Sequence, residues 1–310
     1  MNIRIFILAI FIIVIFCKSK NKTFKAEHEN FIGFFDERKM NLCILNETTG
    51  IIDSLVHIED SVSGLYRKTV WSPDGSQFAF TGTLNGVNGT YTADQKGQNK
   101  KLVLEPKGDA HEGVLEWHPD LGLIFVMKNI DGNAEIYSVT DSLNLTNLTN
   151  LPTWEFFPAL FPDGRISFVS NMDEAQNSQP TFKNVYVYNP DSSSYKFLLS
   201  MEGMSIESMS GTGIFPDISP DGQLMCFTLD GDIYTINIDG TNMKNITNTA
   251  EKTELTPSFS LDGAYIVFSG SSNSESENFN LFKINIKTLK KTQLTFGDNN
   301  YFTHPLYQPL

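Results

Sequence analysis

The sequence predicts an all-β fold, a six-bladed β-propeller, from three observations. A Pro-Asp-Gly turn recurs along the chain, alternating apolar runs follow each copy, and the two chain ends supply complementary parts of one further unit. The turn reads WSPDG at 71–75, FPDG at 161–164, ISPDG at 218–222 and FSLDG at 259–263, with a degenerate copy, WHPDLG, at 117–122. Its aspartates, Asp74, Asp120, Asp163, Asp221 and Asp262, are spaced by 46, 43, 58 and 41 residues, a period that fits stacked units of four short strands. At 310 residues, with 40% hydrophobic and 19% charged residues, the composition is globular, and one large domain accommodates the period.

The chain opens on residues 1–16, MNIRIFILAIFIIVIF, in which Arg4 precedes an uncharged apolar run. That run is short for a bilayer span and fits the apolar region of an export signal. Cys17 follows directly, so Val14-Ile15-Phe16-Cys17 resembles a bacterial lipobox, with Phe16 where a small residue is usual. Residues 1–17 are therefore expected to be a signal peptide whose Cys17 is acylated, and residues 18–30, with Lys18, Lys20 and Lys22, a polar tether. Residues 31–310 form the propeller. Cys43 and Cys226 lie in apolar strand-like runs of different units, which predicts two buried thiols without a disulfide.

Within each unit, Pro pre-sets the first corner of the turn, Asp tolerates the second, and Gly takes the left-handed conformation that closes a hairpin between strands A and B. Strand B follows as SQFAFTG, RISFVSN, QLMCFTLD or AYIVFSG, alternating with period two. Strand C reads AEIYSVT, NVYVYNP, DIYTINIDG or NLFKINIKT, and strand D carries a Leu-Thr or Ile-Thr ending at Leu148-Thr149, Ile246-Thr247 and Leu294-Thr295. Residues 31–35, 41–45 and 51–58 read as strands B, C and D with no strand A before them. The C-terminal YFTHPLYQPL, 301–310, reads as a strand A with nothing after it. Aligned by motif, Pro305 matches Pro158, Pro216 and Pro257, and Tyr307 matches Trp71, Trp117 and Phe259. The sixth blade is thus expected to be closed by N-terminal strands B–D and C-terminal strand A.

The repeats resemble the TolB-like, or WD40-like PD40, propeller family, whose signature joins an aromatic-Ser-Pro-Asp-Gly turn to an apolar strand and an Ile-Tyr-x-x-Asn-x-Asp-Gly strand. The best-matching copy is ISPDGQLMCFTLDGDIYTINIDGTNMKNIT at 218–247, and the resemblance covers about residues 31–310. It implies the propeller fold and leaves function open, because propellers host binding proteins, hydrolase modules and lyases alike. The chain departs from TolB itself, since the dozen or so residues between Cys17 and the first strand leave no room for the small α/β domain that precedes the TolB propeller.

The net charge of −13 and the absence of a basic stripe exclude nucleic acid as the expected partner. In a meander the A–B and C–D turns share one face, and the B–C and D–A loops share the other. The long irregular segments 81–89, 171–183, 200–213 and 269–279 belong to the second face, the expected place for binding. Glu112, Glu155 and Glu254 each stand seven residues before the motif proline position. There they can ring one channel mouth beside His111 and Trp154 and attract a cation or a Lys-bearing peptide, or each can accept hydrogen bonds from its own D–A loop. No paired-His zinc motif, G-x-S-x-G elbow, calcium loop or phosphate cradle is present, so neither a metal nor a cofactor is expected. The expectation is an exported, membrane-anchored lipoprotein of the bacterial cell envelope, acting as a non-enzymatic protein- or peptide-binding scaffold. The alternative is a lyase or hydrolase acting at the channel mouth on a saccharide or peptide.

Overall fold

The computed structural model describes residues 30–59, 68–105, 111–128, 132–140, 144–172, 184–200, 214–249, 253–271 and 278–309. The expected signal peptide, Cys17 and nearly all of the tether lie outside them. Twenty-four strands among these residues form six four-stranded antiparallel sheets arranged as the blades of a propeller. The first full blade comprises β4 (Val70–Trp71), β5 (Gln77–Leu84), β6 (Val87–Asp94) and β7 (Lys101–Leu104). The second comprises β8 (His111–His118), β9 (Gly122–Lys128), β10 (Ala134–Val139) and β11 (Leu145–Asn147). The third comprises β12 (Glu155–Leu160), β13 (Ile166–Ser170), β14 (Asn184–Asn189) and β15 (Ser194–Ser200). The fourth comprises β16 (Asp217–Ile218), β17 (Leu224–Leu229), β18 (Asp232–Asn237) and β19 (Lys244–Asn245), and the fifth β20 (Glu254–Phe259), β21 (Tyr265–Ser271), β22 (Phe279–Asn285) and β23 (Lys291–Gln293).

The sixth blade joins the chain ends, in the order β24 (Phe302–Tyr307), β1 (Phe31–Asp36), β2 (Asn41–Asn46) and β3 (Ile52–His57). Ile32 pairs with Tyr307, Gly33 with Leu306, Phe35 with Thr303 and Asp36 with Phe302. Backbone bonds from Gln308 N to Phe31 O and from Glu37 N to Tyr301 O, both 2.9 Å, extend the ladder at its two ends. The Phe34 and Phe302 rings meet at 4.8 Å. Gln308 Nε2 then donates to Gly75 O at 2.8 Å, which ties the closing strand to the motif turn of the next blade. A Cβ on Gly75, whose φ is +66°, would collide with the Pro309 carbonyl, so the glycine serves both the turn and this contact.

The middle strands are buried on both faces because each sheet packs between two neighbours. Phe78, Phe125, Phe168, Phe227 and Phe268 are all fully buried, one in the second strand of each full blade. The motif turn is a small polar device. Ser72, Ser219 and Ser260 each donate from Oγ to the turn aspartate, Asp74, Asp221 and Asp262, at 2.6 Å, and accept the N–H of Gln77, Leu224 and Tyr265 at 2.9–3.0 Å. These hydroxyl and backbone donors hold the three carboxyls below their usual range, Asp74 at about 2. In the degenerate copy His118 replaces Ser, as the alignment predicts. Its Nδ1 accepts from Asp120 N and Leu121 N at 3.0 and 3.1 Å, which leaves Nε2–H to donate to Gly164 O of the next blade at 2.7 Å.

The Leu-Thr endings have a matching role just beyond the outer strands. Thr149, Thr247 and Thr295 accept from Ile136 N, Ile233 N and Leu281 N at 2.9–3.1 Å. The same hydroxyls donate to Glu135, Asp232 and Asn280 at 3.0–3.3 Å. Cys43 and Cys226 are buried free thiols, and burial pushes the Cys43 thiol up to about 12.

Deleting residues 301–310 removes strand β24 and opens the ring. Loss of the buried Phe302 and Tyr307 side chains alone is expected to cost about 3–6 kcal/mol, measured as the shift in urea unfolding. A truncated chain that unfolds at the same midpoint would refute the closure.

Candidate functional site

The innermost strands line a central channel, and a repeated irregularity shapes it. The pairings of β12, β20 and β24 with their neighbours shift at Phe156/Ala159, Leu255/Ser258 and Gly33/Phe35, each marking a β-bulge. Phe157, Thr256 and His304 within these bulges have φ of +52°, and Phe215 just before β16 has φ of +39°; each is followed by proline. Left-handed backbone is costly for these side chains, β-branched Thr256 above all, and its repetition marks a feature of the channel rather than of one blade.

Among the described residues, two spaces lie along the channel. The one on the loop side is only about 30 Å³, lined by residues that include Lys68, Leu115, Phe157, Phe215, Thr256 and His304. The one on the turn side is a chamber of about 530 Å³. Its walls include Trp71, Trp117, Phe161, Phe259 and Tyr307, and all six motif-proline positions, Pro73, Pro119, Pro162, Pro220, Leu261 and Pro309, contribute to it. Asp217 and Ser258 belong to both spaces and mark the boundary between them.

A charged group sits at that boundary. Lys68 Nζ lies 2.7 Å from Glu116 Oε1, with 16% and 14% of the two side chains exposed. Asp217 accepts from Ser258 Oγ at 3.0 Å, from Phe259 N at 2.7 Å and from its neighbour Ile218 N at 3.0 Å. Burial pushes both carboxyls up from their ordinary range, and the Lys68 ammonium opposes that shift. Glu116 and Asp217 both stand three residues before the motif proline, and Lys68 stands five before it. Sequence reasoning follows the position seven before and misses this group; two carboxylates at one register are the available signal.

Of the predicted residues, Glu155, Glu254 and Trp154 line neither space. His111 and Glu112 lie in β8, and their side chains are outside the described residues. Glu155 and Glu254 begin β12 and β20 and are buried. Glu155 Oε1 accepts from Thr153 Oγ1 at 2.6 Å in its own entering loop and from Ser170 Oγ at 3.1 Å. Glu254 Oε1 accepts from Lys291 Nζ at 2.9 Å. In both, Oε2 is buried without a hydrogen-bond partner among the described residues. Trp154 is 43% exposed and donates from Nε1 to Asn133 Oδ1 at 3.0 Å. Of the segments where the sequence places binding, 173–183, 201–213 and 272–277 lie outside the described residues, whereas 81–89 is no irregular loop but the end of the β5–β6 hairpin, which turns at Asn85 and Gly86. Among those residues no group of three or more His, Cys, Asp and Glu side chains is placed to hold a metal ion.

Burial raises the Glu155 carboxyl to about 7, the Thr153 hydroxyl opposes the shift, and the charge of Glu135 adds to it. A carboxyl raised in the folded state binds its proton more tightly there than in the unfolded chain. Its stabilising effect is therefore full below the ordinary carboxyl range near 4.5 and is lost as the pH rises through about 7. The thermal midpoint should fall between pH 5 and pH 8 in the wild type, and the fall should be smaller in Glu155→Gln, as measured by circular dichroism melts.

No protein-family model matches the chain, and no curated protein matches it. Solved structures do. TolB from Acinetobacter baumannii superposes with a TM-score of 0.68 at 19% identity, over 91% of this chain and 67% of that one. A putative TolB from Agrobacterium tumefaciens gives 0.58 at 18% identity, over 91% of this chain and 99% of that one. An oligogalacturonate lyase in complex with manganese gives 0.50 at 18% identity, over 86% and 72% of the two chains. The channel and its six bladed walls thus belong to a propeller of the TolB type in fold.

Proposed function

We propose that the chain is an exported, membrane-anchored scaffold of the bacterial cell envelope that binds a protein through an extended peptide segment received in the turn-side chamber. One observation carries this reading: a chamber of about 530 Å³ with aromatic and proline walls and a charged floor. Apolar walls with a few placed polar groups are the usual composition of a ligand pocket. Proline rings and indole faces suit an extended backbone, since they offer rigid apolar area at small entropic cost. The apolar run before Cys17 supports export and anchoring.

The chamber is tested by narrowing it. Peptides selected from a random library against the full-length chain should bind with a change in Trp71 and Trp117 fluorescence. Leu160→Trp, which adds bulk to the chamber wall, should weaken them about tenfold with little change in the melting temperature. Selected peptides that bind wild type and variant alike would move the site to another surface. Mass spectrometry of the mature N-terminus tests the anchor, with acylated Cys17 expected and an intact Met1 against it.

A further inference from the structure

We propose that the floor of the turn-side chamber recognises a primary ammonium group, with Glu116 as its acceptor. The proposal rests on reading the chamber as a binding site and adds the chemistry of what enters it. Two carboxylates, Glu116 and Asp217, line the chamber floor and no Lys or Arg is among its described lining residues; the ammonium beside them, Lys68, lines the loop-side space and pairs with Glu116. Asp217 is occupied by the Ser258 hydroxyl and two backbone N–H groups. Glu116 is not. Its Oε1 takes the Lys68 ammonium, while among the described residues its Oε2 has no hydrogen-bond partner, on a side chain that is 14% exposed and lines the chamber.

That oxygen is open to the chamber rather than sealed inside the protein, so a charged donor that enters can reach it. An ammonium supplies both the donor and the missing charge, so its binding replaces an under-compensated cluster with a balanced one. A carboxylate ligand would meet the excess negative charge instead, and the net charge of −13 opposes its approach. The aromatic faces of Trp71, Trp117 and Phe259 along the walls add to the preference for a cation. The charged or titratable groups facing this region are Lys68 from the segment before β4, Asp217 from β16, Tyr307 from β24 in the chamber wall and, in the loop-side space, His304 from β24. The ammonium can be the α-amine of a peptide or the side chain of a lysine; the chemistry is the same.

Calorimetry on the full-length chain with n-hexylammonium, n-hexanol and hexanoate tests the proposal. Hexylammonium should bind about tenfold more tightly than either analogue, its affinity should fall from pH 8 to pH 5 while that of hexanol stays level, and Glu116→Gln should abolish the preference where Glu105→Gln keeps it. Equal binding of the three probes, preference for hexanoate, or an ammonium preference that survives in a folded Glu116→Gln protein would overturn it. If the Glu116→Gln protein does not fold, the pH dependence in the wild type decides. Acetyl-Gly-Gly-Lys-amide and Gly-Gly-norleucine-amide then separate the side-chain ammonium from the α-amine. Hexylammonium binding with no library peptide bound would refute the peptide reading and leave this one standing; the converse would do the reverse.

Discussion

Everything in the molecule depends on one non-covalent closure, the pairing of β24 with β1. Each blade buries both faces of its sheet, so a ring with an open seam would expose two apolar faces at once. The seam is therefore built from several kinds of contact: four paired positions, the Phe34–Phe302 ring contact, and the Gln308 bond to the motif turn of the next blade. Thr303 Oγ1 adds a bond to Glu37 Oε1 at 3.0 Å. Because the inner strand of the closing blade also lines the channel, the same seam fixes the position of Tyr307 and Pro309 in the chamber wall.

The motif that announces the fold therefore has two roles. Its Ser-Asp-Gly elements close the hairpins by local hydrogen bonds, and its prolines and preceding aromatics form the wall of the largest described space along the channel. Sequence reasoning assigns the turns to structure and the irregular loops to binding, since loops usually carry function. On the turn side, six hairpin corners brought together by symmetry make a concave surface that no single corner has.

The strands and the ring closure are legible in the sequence because their signals are local or periodic. Alternation marks the buried strands, and the match of Pro305 and Tyr307 to other blades marks the missing strand A. The floor of the channel is harder to read for a physical reason. In a regular strand, positions seven and three before the motif proline would share a face, four residues being an even step. β12 and β20 are each bulged between them, which inserts one residue and reverses the facing, and β8 shifts twice, at His111/Val114 and Val114/Glu116. Glu155 and Glu254 consequently turn into the blades, while Glu116 and Asp217 reach the channel. The bulges of β12, β20 and β24 carry left-handed backbone at Phe157, Thr256 and His304, residue types that do not advertise it.

The closure is tested most directly by native-state amide exchange resolved by strand. If the β24–β1 seam holds the ring, protected amides in β24 and β1 open only in global unfolding, with the same free energy as those in β13 and β17. Exchange of β24 through a local opening about 3 kcal/mol or more below the global value would show that the C-terminal strand is an accessory, and would contradict the account.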